Sequence, residues 1–181
     1  MKYISIVLLA SLLCINQAGQ DIYICKNAKI NMYSSAPIEN IEANSNGGVS
    51  VYNASTGELD FIVPIRSLHF PKALMEEHFN ENYMESEKFP VAKFSGKIIE
   101  QVNFTTDNTI EVRAKGELEI HGQKQIRIIK AKITVKGNQL AVEAHFLVPL
   151  SDHSITIPKI VSQKIATEIE VDINALLSQE P

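Results

Sequence analysis

Three stretches of the sequence alternate between apolar residues and mostly polar ones. They cover residues 110–121, 140–148 and 165–174. Successive side chains of a β-strand point to opposite faces, so a period of two predicts strands with one apolar face and one wet face. Antiparallel sheets show this pattern, whereas the strands of parallel α/β sheets are buried on both faces. The chain is therefore predicted to be all-β and antiparallel.

Shorter strands and turn signals occupy most of the remaining sequence. The additional strands are predicted at about 26–34, 38–45, 48–53, 58–67, 91–101 and 124–136. Asn46-Gly47-Gly48 predicts a turn, and Gly137-Asn138 predicts a hairpin that joins 124–136 to 139–149. Eight or nine antiparallel strands in sequence indicate a closed barrel or a two-sheet sandwich.

One segment, residues 71–84, departs from the strand pattern and is predicted to be a helical insert. Pro71 suits the first turn of a helix, and Phe89-Pro90 ends the insert. One helical face is expected to carry Leu74, Met75, His78, Phe79, Asn82 and Tyr83. Because that face must be buried against something, we expect the helix to cover one end of the barrel, with His78 on its buried side.

The first twenty residues have the composition of an export signal. Lys2 is followed by the apolar run ISIVLLASLLCI and by small and polar residues around Ala18–Gly19, the order found in a secretory signal peptide. The apolar run is too short to span a bilayer as a helix. Leu13 stands where a lipid anchor on Cys14 would require a small residue. We expect a signal peptide at 1–20 and a single domain at 21–181, located in the periplasm or secreted.

The charge, thiol and histidine content exclude several classes of function. The formal net charge of −4 disfavours nucleic-acid binding. With Cys14 removed, Cys25 is the remaining thiol, and without a nearby histidine or cluster of cations it is expected to be buried or unreactive. The five histidines do not have zinc-ligand spacing, so no metal site is expected.

Catalytic motifs are not found either. Asp152-His153-Ser154 contains the residue types of a triad, but adjacent side chains of an extended chain point in opposite directions and cannot form a relay. The acidic residues of the helical insert are expected to form a solvated surface. We therefore expect no catalytic residue, no enzymatic activity and no cofactor.

Several motifs resemble those of the YceI-like family of periplasmic, lipocalin-like proteins, over about residues 26–176. The most specific are His78-Phe79, Phe89-Pro90-x-Ala92-x-Phe94 and Gly116-x-Leu118-x-Ile120-His121-Gly122. The segments HFNENYMESEKFP and ITIPKIV resemble the branch found in Bacteroidetes-type bacteria. The resemblance implies an eight-stranded antiparallel barrel whose apolar lumen binds an isoprenoid or fatty-acyl lipid.

The predicted ligand-binding residues are large, mostly apolar side chains on the inward faces of the strands and the helix. They are Phe61, Val63, Met75, His78, Phe79, Phe94, Leu118, Ile120, Val142 and Phe146. Small inward residues, Ala92, Ala114, Gly116 and Ala144, either leave room for a ligand or fit the taper of a filled barrel. His78 and Arg66 are the candidates for contacting a polar head group. A local structural contact is an equal alternative for His78, and a solvated or salt-bridged side chain is the favoured alternative for Arg66.

We expect an exported protein that carries, buffers or sequesters an isoprenoid or fatty-acyl amphiphile. Two alternatives stay open. One is an enzyme with isomerase-like or cyclase-like activity, which would need an acid or base in the lumen. The other is a filled barrel that acts through its surface. Stable membrane insertion is not expected, and a homodimer formed by strand pairing remains possible.

Overall fold

The computed structural model describes residues 21–179 as a closed barrel of eight antiparallel strands. The strands are β1 (Ile22–Ser35), β2 (Asn40–Asn53), β3 (Glu58–Pro64), β4 (Val91–Ile98), β5 (Asn108–Ile120), β6 (Gln123–Lys136), β7 (Gln139–Pro149) and β8 (Glu168–Gln179). Each strand pairs with the next, and β8 pairs with β1 to close the barrel. The prediction of an all-β barrel is confirmed, and the sandwich is excluded. The signal peptide predicted at 1–20 lies outside the described residues.

Short helical elements connect the strands at one end of the barrel. Helix α1 (Ala73–His78) continues into a π-helical turn (Phe79–Tyr83), and 3₁₀ turns lie at Ile65–Ser67, Leu150–His153 and Lys159–Val161. The Asn80 side-chain amide donates a hydrogen bond to the Glu76 carbonyl over 2.9 Å. The predicted helix of 71–84 is thus α-helical only in its first half, because the backbone widens at Phe79. Within residues 21–179, no helix combines the length and apolar character needed to cross a membrane.

The prediction of a turn at Asn46-Gly47-Gly48 is wrong, because β2 continues through these three residues as one strand. The pairing of β1 with β2 shifts in register on both sides of Ala28, which lies opposite Gly48. A Cβ atom on Gly48 would lie 2.9 Å from the Ala28 Cβ and 2.7 Å from the Ile30 Cδ1. Glycine here therefore permits close packing at a bulge and does not reverse the chain.

The two ends of the barrel differ. At one end, which we call the closed end, the Phe104 ring packs against Tyr23 and Tyr52 at centroid distances of 5.8 and 6.1 Å. Buried side chains from five strands surround these rings, among them Cys25, Val112, Val135, Leu140 and Leu177. The expectation of a buried Cys25 thiol is confirmed. The opposite end, which we call the mouth, carries α1 and the 3₁₀ turns.

Strands β6 and β7 separate towards the mouth. Residues Ala131–Lys136 of β6 pair with β7, whereas the first half of β6 pairs only with β5. The turn Leu150–His153 bridges this gap: the Gln125 amide donates to the Asp152 carbonyl over 2.8 Å, and Arg127 forms an ion pair with the Asp152 carboxylate. The turn thereby completes the barrel wall and buries His153.

His153 makes the stability of this region sensitive to acid. Its side chain is 0% exposed, its Nδ1 lies 3.2 Å from the Gln123 carbonyl, and its Nε2 has no hydrogen-bond partner. Burial lowers the pKa of the His153 imidazole, and the carbonyls of Gln123 and Ile120 oppose this only in part. The nearby charges of Arg127 and Asp152 act in opposite directions.

We therefore expect the free energy of unfolding to fall as the pH drops below about 6.5, the ordinary pKa of histidine. Below that pH the His153 imidazole binds a proton in the unfolded chain but stays neutral in the folded protein. The contribution of neutral His153 to stability is therefore complete above about pH 6.5 and is lost on acidification. Urea denaturation at neutral and acidic pH measures the loss. The His153→Gln variant should lose less stability on acidification than the unmodified protein. The His145→Gln variant, changed at an exposed position paired with Asp172, should lose as much as the unmodified protein. Equal losses in all three proteins would contradict the prediction.

Candidate functional site

A cavity of about 570 Å³ extends from the mouth into the lumen. All eight strands contribute side chains to its wall, and nearly all of these are apolar. Val148 near the mouth and Leu140 near the closed end both line it. From Leu140 to Val148 the strand advances about eight residues, at about 3.4 Å each. Because the strands of such a barrel tilt by roughly 40° from the barrel axis, the cavity is roughly 20 Å deep along that axis.

The structure brings all ten predicted ligand-binding residues together around this cavity. They are Phe61, Val63, Met75, His78, Phe79, Phe94, Leu118, Ile120, Val142 and Phe146. In the sheet Phe61 of β3 lies directly opposite Phe94 of β4, which in turn lies opposite Leu118 of β5. These three side chains form a continuous apolar band on one wall of the lumen.

Small side chains account for part of the free volume. Ala131 of β6 lies opposite Ala144 of β7, and both line the cavity, as does Ala114 of β5. Gly116 does not line it, contrary to expectation. It pairs with Gly96 so closely that a Cβ on Gly116 would lie 2.3 Å from the Ser95 carbonyl oxygen. The missing side chain of Gly116 therefore admits the neighbouring backbone and leaves no room for a ligand.

The helical segment forms the upper wall of the cavity. Five of the six residues predicted for its inner face line the cavity, namely Leu74, Met75, His78, Phe79 and Tyr83. The Phe79 ring packs against Phe70 with a centroid distance of 4.9 Å, which ties the π-helical turn to the end of the barrel. The expectation that His78 is buried is wrong: it is exposed, because the segment lies across the mouth with one edge in solvent.

Charged groups near the cavity gather at the mouth. Lys72 Nζ donates to Glu39 Oε1 over 2.5 Å, and Lys164 also lines the opening. The hydrogen bond from Lys72 lowers the pKa of the Glu39 carboxyl, and the charges of Lys72 and Lys164 add to this effect. Sequence reasoning missed these residues, because each comes from a different connecting segment and none belongs to a local motif.

Arg66, the second head-group candidate, does not line the cavity. Its guanidinium donates to the Ser86 hydroxyl over 3.2 Å and to the Glu87 carboxylate over 3.1 Å. These contacts lie on the outer side of the helical segment, where Glu77 and Glu81 share the same surface depression. Arg66 is therefore held by the acidic outer surface of the segment.

The deep part of the cavity offers little acid–base chemistry. Tyr52 and Ser50 supply hydroxyl groups there, and burial raises the pKa of the Tyr52 phenol above its ordinary value. Lys93 borders the cavity nearer the mouth, close to the start of β4, and its ammonium group lies 3.4 Å from the Asp60 carboxylate. Among residues 21–179, no group of three histidine, cysteine or acidic side chains is arranged to hold a metal ion.

Solved structures with the same fold come from several bacteria. A polyisoprenoid-binding domain from Saccharophagus degradans superposes with a TM-score of 0.75 at 13% identity, covering 89% of this chain and 99% of that one. BcnA from Burkholderia cenocepacia gives 0.69 at 11% identity, covering 82% and 95%. A YceI protein from Campylobacter jejuni gives 0.62 at 14% identity, covering 80% and 88%. At such low identities these similarities establish the fold alone.

Sequence comparison identifies the family. No curated protein matches the chain in sequence. The family model for the YceI-like domain matches residues 28–177, which include every strand from the middle of β1 to near the end of β8. The closer assignment to a Bacteroidetes-type branch stays a prediction. The chain belongs to the YceI-like family.

Proposed function

We propose that this protein is an exported lipid-binding protein whose lumen holds one isoprenoid or fatty-acyl chain. The observation that carries the proposal is the apolar cavity of about 570 Å³, open at the mouth and closed by the Phe104 cluster. The barrel provides a long apolar wall, and the charged side chains that line the cavity lie towards the opening. This arrangement matches an amphiphile with a long apolar tail and a polar end.

The energetics favour such a ligand. An unfilled apolar cavity forfeits packing contacts and lowers the stability of the fold. A chain of about 15 carbons, at about 0.8 kcal/mol for each buried methylene, would contribute about 12 kcal/mol. This is comparable with the estimated cost of association, about 4–15 kcal/mol, so a well-fitting chain needs few hydrogen bonds.

The comparisons support the same ligand class. A polyisoprenoid-binding domain is among the solved structures that share this fold, with a TM-score of 0.75. The ten residues that line the lumen and were predicted from the sequence would contact the chain. Lys72, Lys164 and His78, which line the mouth, would lie near its polar end.

Both alternatives have less support. An enzyme would need an acid or base at the reacting centre, and the deep lining of the cavity supplies only apolar groups and hydroxyls. A barrel that acts only through its surface would be expected to have a lumen filled with side chains. The free volume in this lumen therefore counts against that alternative.

Native mass spectrometry tests the proposal directly. The protein is expressed in a bacterium with its first twenty residues, purified from the periplasm without detergent, and then extracted with organic solvent. We expect a discrete added mass that extracts as an isoprenoid or acyl compound. The same spectrum tests export, since the polypeptide mass should correspond to cleavage near residue 20. A ligand-free mass that does not change after incubation with such lipids would contradict the proposal.

A further inference from the structure

Three exposed apolar side chains stand on the rim of the mouth. Ile38 is 61% exposed, Leu74 is 61% exposed and Ile160 is 91% exposed. They belong to three different segments: the β1–β2 connection, helix α1 and the turn Lys159–Val161. Three large apolar side chains in solvent at one opening are unfavourable in water, so this rim is a candidate contact surface.

These side chains are continuous with the lumen. Leu74 itself lines the cavity, and Ile160 directly precedes Val161, which also lines it. The backbone amide of Ile38 donates to the Gln163 carbonyl over 3.0 Å, and this bond joins two of the three segments beside the opening. An apolar chain that leaves the lumen would therefore meet the rim residues before it met water.

Among the charged residues that line the mouth, lysines outnumber carboxylates. Lys72 and Lys164 line the mouth, and Lys159 begins the turn that carries Ile160. Glu39 is the carboxylate among the mouth-lining residues, and it is bound by Lys72. This local excess contrasts with the formal net charge of −4 of the whole chain. The acidic side chains Glu77 and Glu81 lie on the outer side of the helical segment, around Arg66.

We propose that the rim docks on the surface of a lipid bilayer that carries anionic head groups, so that a lipid passes between the bilayer and the lumen without crossing water. Exposed isoleucine and leucine side chains enter the boundary between head groups and acyl chains, while neighbouring lysines contact the anionic head groups. The inference rests on the proposed lipid-binding function. A protein partner, by contrast, would have no need for the rim to be continuous with the cavity.

Vesicle sedimentation of the mature chain tests this docking. The vesicles contain phosphatidylcholine with a minority of phosphatidylglycerol. The Ile38→Ser/Ile160→Ser double variant should bind at least about fivefold more weakly than the unmodified protein. The Lys159→Gln/Lys164→Gln double variant should bind more weakly to these vesicles, and added salt should have less effect on it.

A matched control is available on the barrel wall. Ile126 and Ile128 of β6 are 69% and 57% exposed, but they face outward and do not line the cavity. The Ile126→Ser/Ile128→Ser double variant should keep its vesicle binding. If both isoleucine double variants lost binding equally, the attraction would be non-specific and docking through the rim would be refuted.

Lumen occupancy, measured in parallel by native mass spectrometry, separates this proposal from the function on which it rests. Rim variants that retain a lumen lipid but lose vesicle binding would support docking. An unmodified protein that holds a lipid and yet stays in the supernatant would overturn docking, favour a protein partner or free diffusion, and leave the proposed function intact. A protein that stays ligand-free would overturn the proposed function itself.

Discussion

The Ala144→Phe variant is expected to bind a lumen lipid at least tenfold more weakly than the unmodified protein while the barrel stays folded. Ala144 lines the cavity and lies opposite another small lining residue, Ala131. The added ring would therefore occupy space that we assign to the ligand. Displacing two methylenes, at about 0.8 kcal/mol each, is enough for a loss of about tenfold. Because the ring enters free volume, the strain on the barrel should be small.

Ala141→Phe is the matched control for this experiment. Ala141 lies on the same strand and is half-buried, but it does not line the cavity. Displacement of a fluorescent fatty acid gives the affinities of both variants, and urea denaturation shows that both are folded. We expect Ala141→Phe to bind like the unmodified protein. Equal affinities for the two variants would place the ligand outside the lumen and contradict the proposed function.

Gly116→Ala should cause a large loss of stability, about 3 kcal/mol in the free energy of unfolding. The alanine Cβ would lie 2.3 Å from the Ser95 carbonyl oxygen and 2.6 Å from the Gly96 Cα. Both are backbone atoms, so relief of the clash requires β4 and β5 to move apart. That movement would weaken the backbone hydrogen bonds of a pair that helps to close the barrel.

Gly137→Ala provides the comparison. A Cβ on Gly137 would meet nothing within 4 Å, although its φ of 54° carries a penalty of about 1 kcal/mol for alanine. Urea denaturation followed by circular dichroism gives the free energies of unfolding of both variants. If Gly116→Ala unfolded no more readily than Gly137→Ala, the close approach of β4 and β5 would not be a constraint on the fold.

The inner wall of the site was largely predictable from the sequence. In a strand the parity of a position decides which face it joins, so alternation around Leu118, Val142 and Phe146 assigned these residues to the lumen without knowledge of their neighbours. The inner face of the helical segment was also predictable from a local period, because Met75 and Phe79 are separated by about one helical turn and so lie on the same face. His78 was assigned to this face correctly, but its exposure depends on how far the segment overhangs the mouth, which periodicity does not encode.

Other features depended on contacts between distant segments. Asn46-Gly47-Gly48 has the composition of a turn, yet Gly48 is needed for contact with Ala28, twenty residues earlier on the paired strand. Gly116 was expected to provide volume and instead admits the backbone of β4. The pairing of Lys72 with Glu39 joins the residue that precedes α1 to the β1–β2 connection, and nothing in either local sequence indicates it.

The sequence by itself determined the antiparallel all-β character, the inward face of each long strand and the helical insert, because these follow from local periodicity and turn chemistry. The tertiary structure decided which end of the barrel is closed, that free volume remains in the lumen, that Arg66 is held outside and that Lys72 and Lys164 meet at the mouth. These properties depend on strand register and on how connecting segments pack across the barrel ends. Both bring together residues that are far apart in the chain and leave no periodic signal.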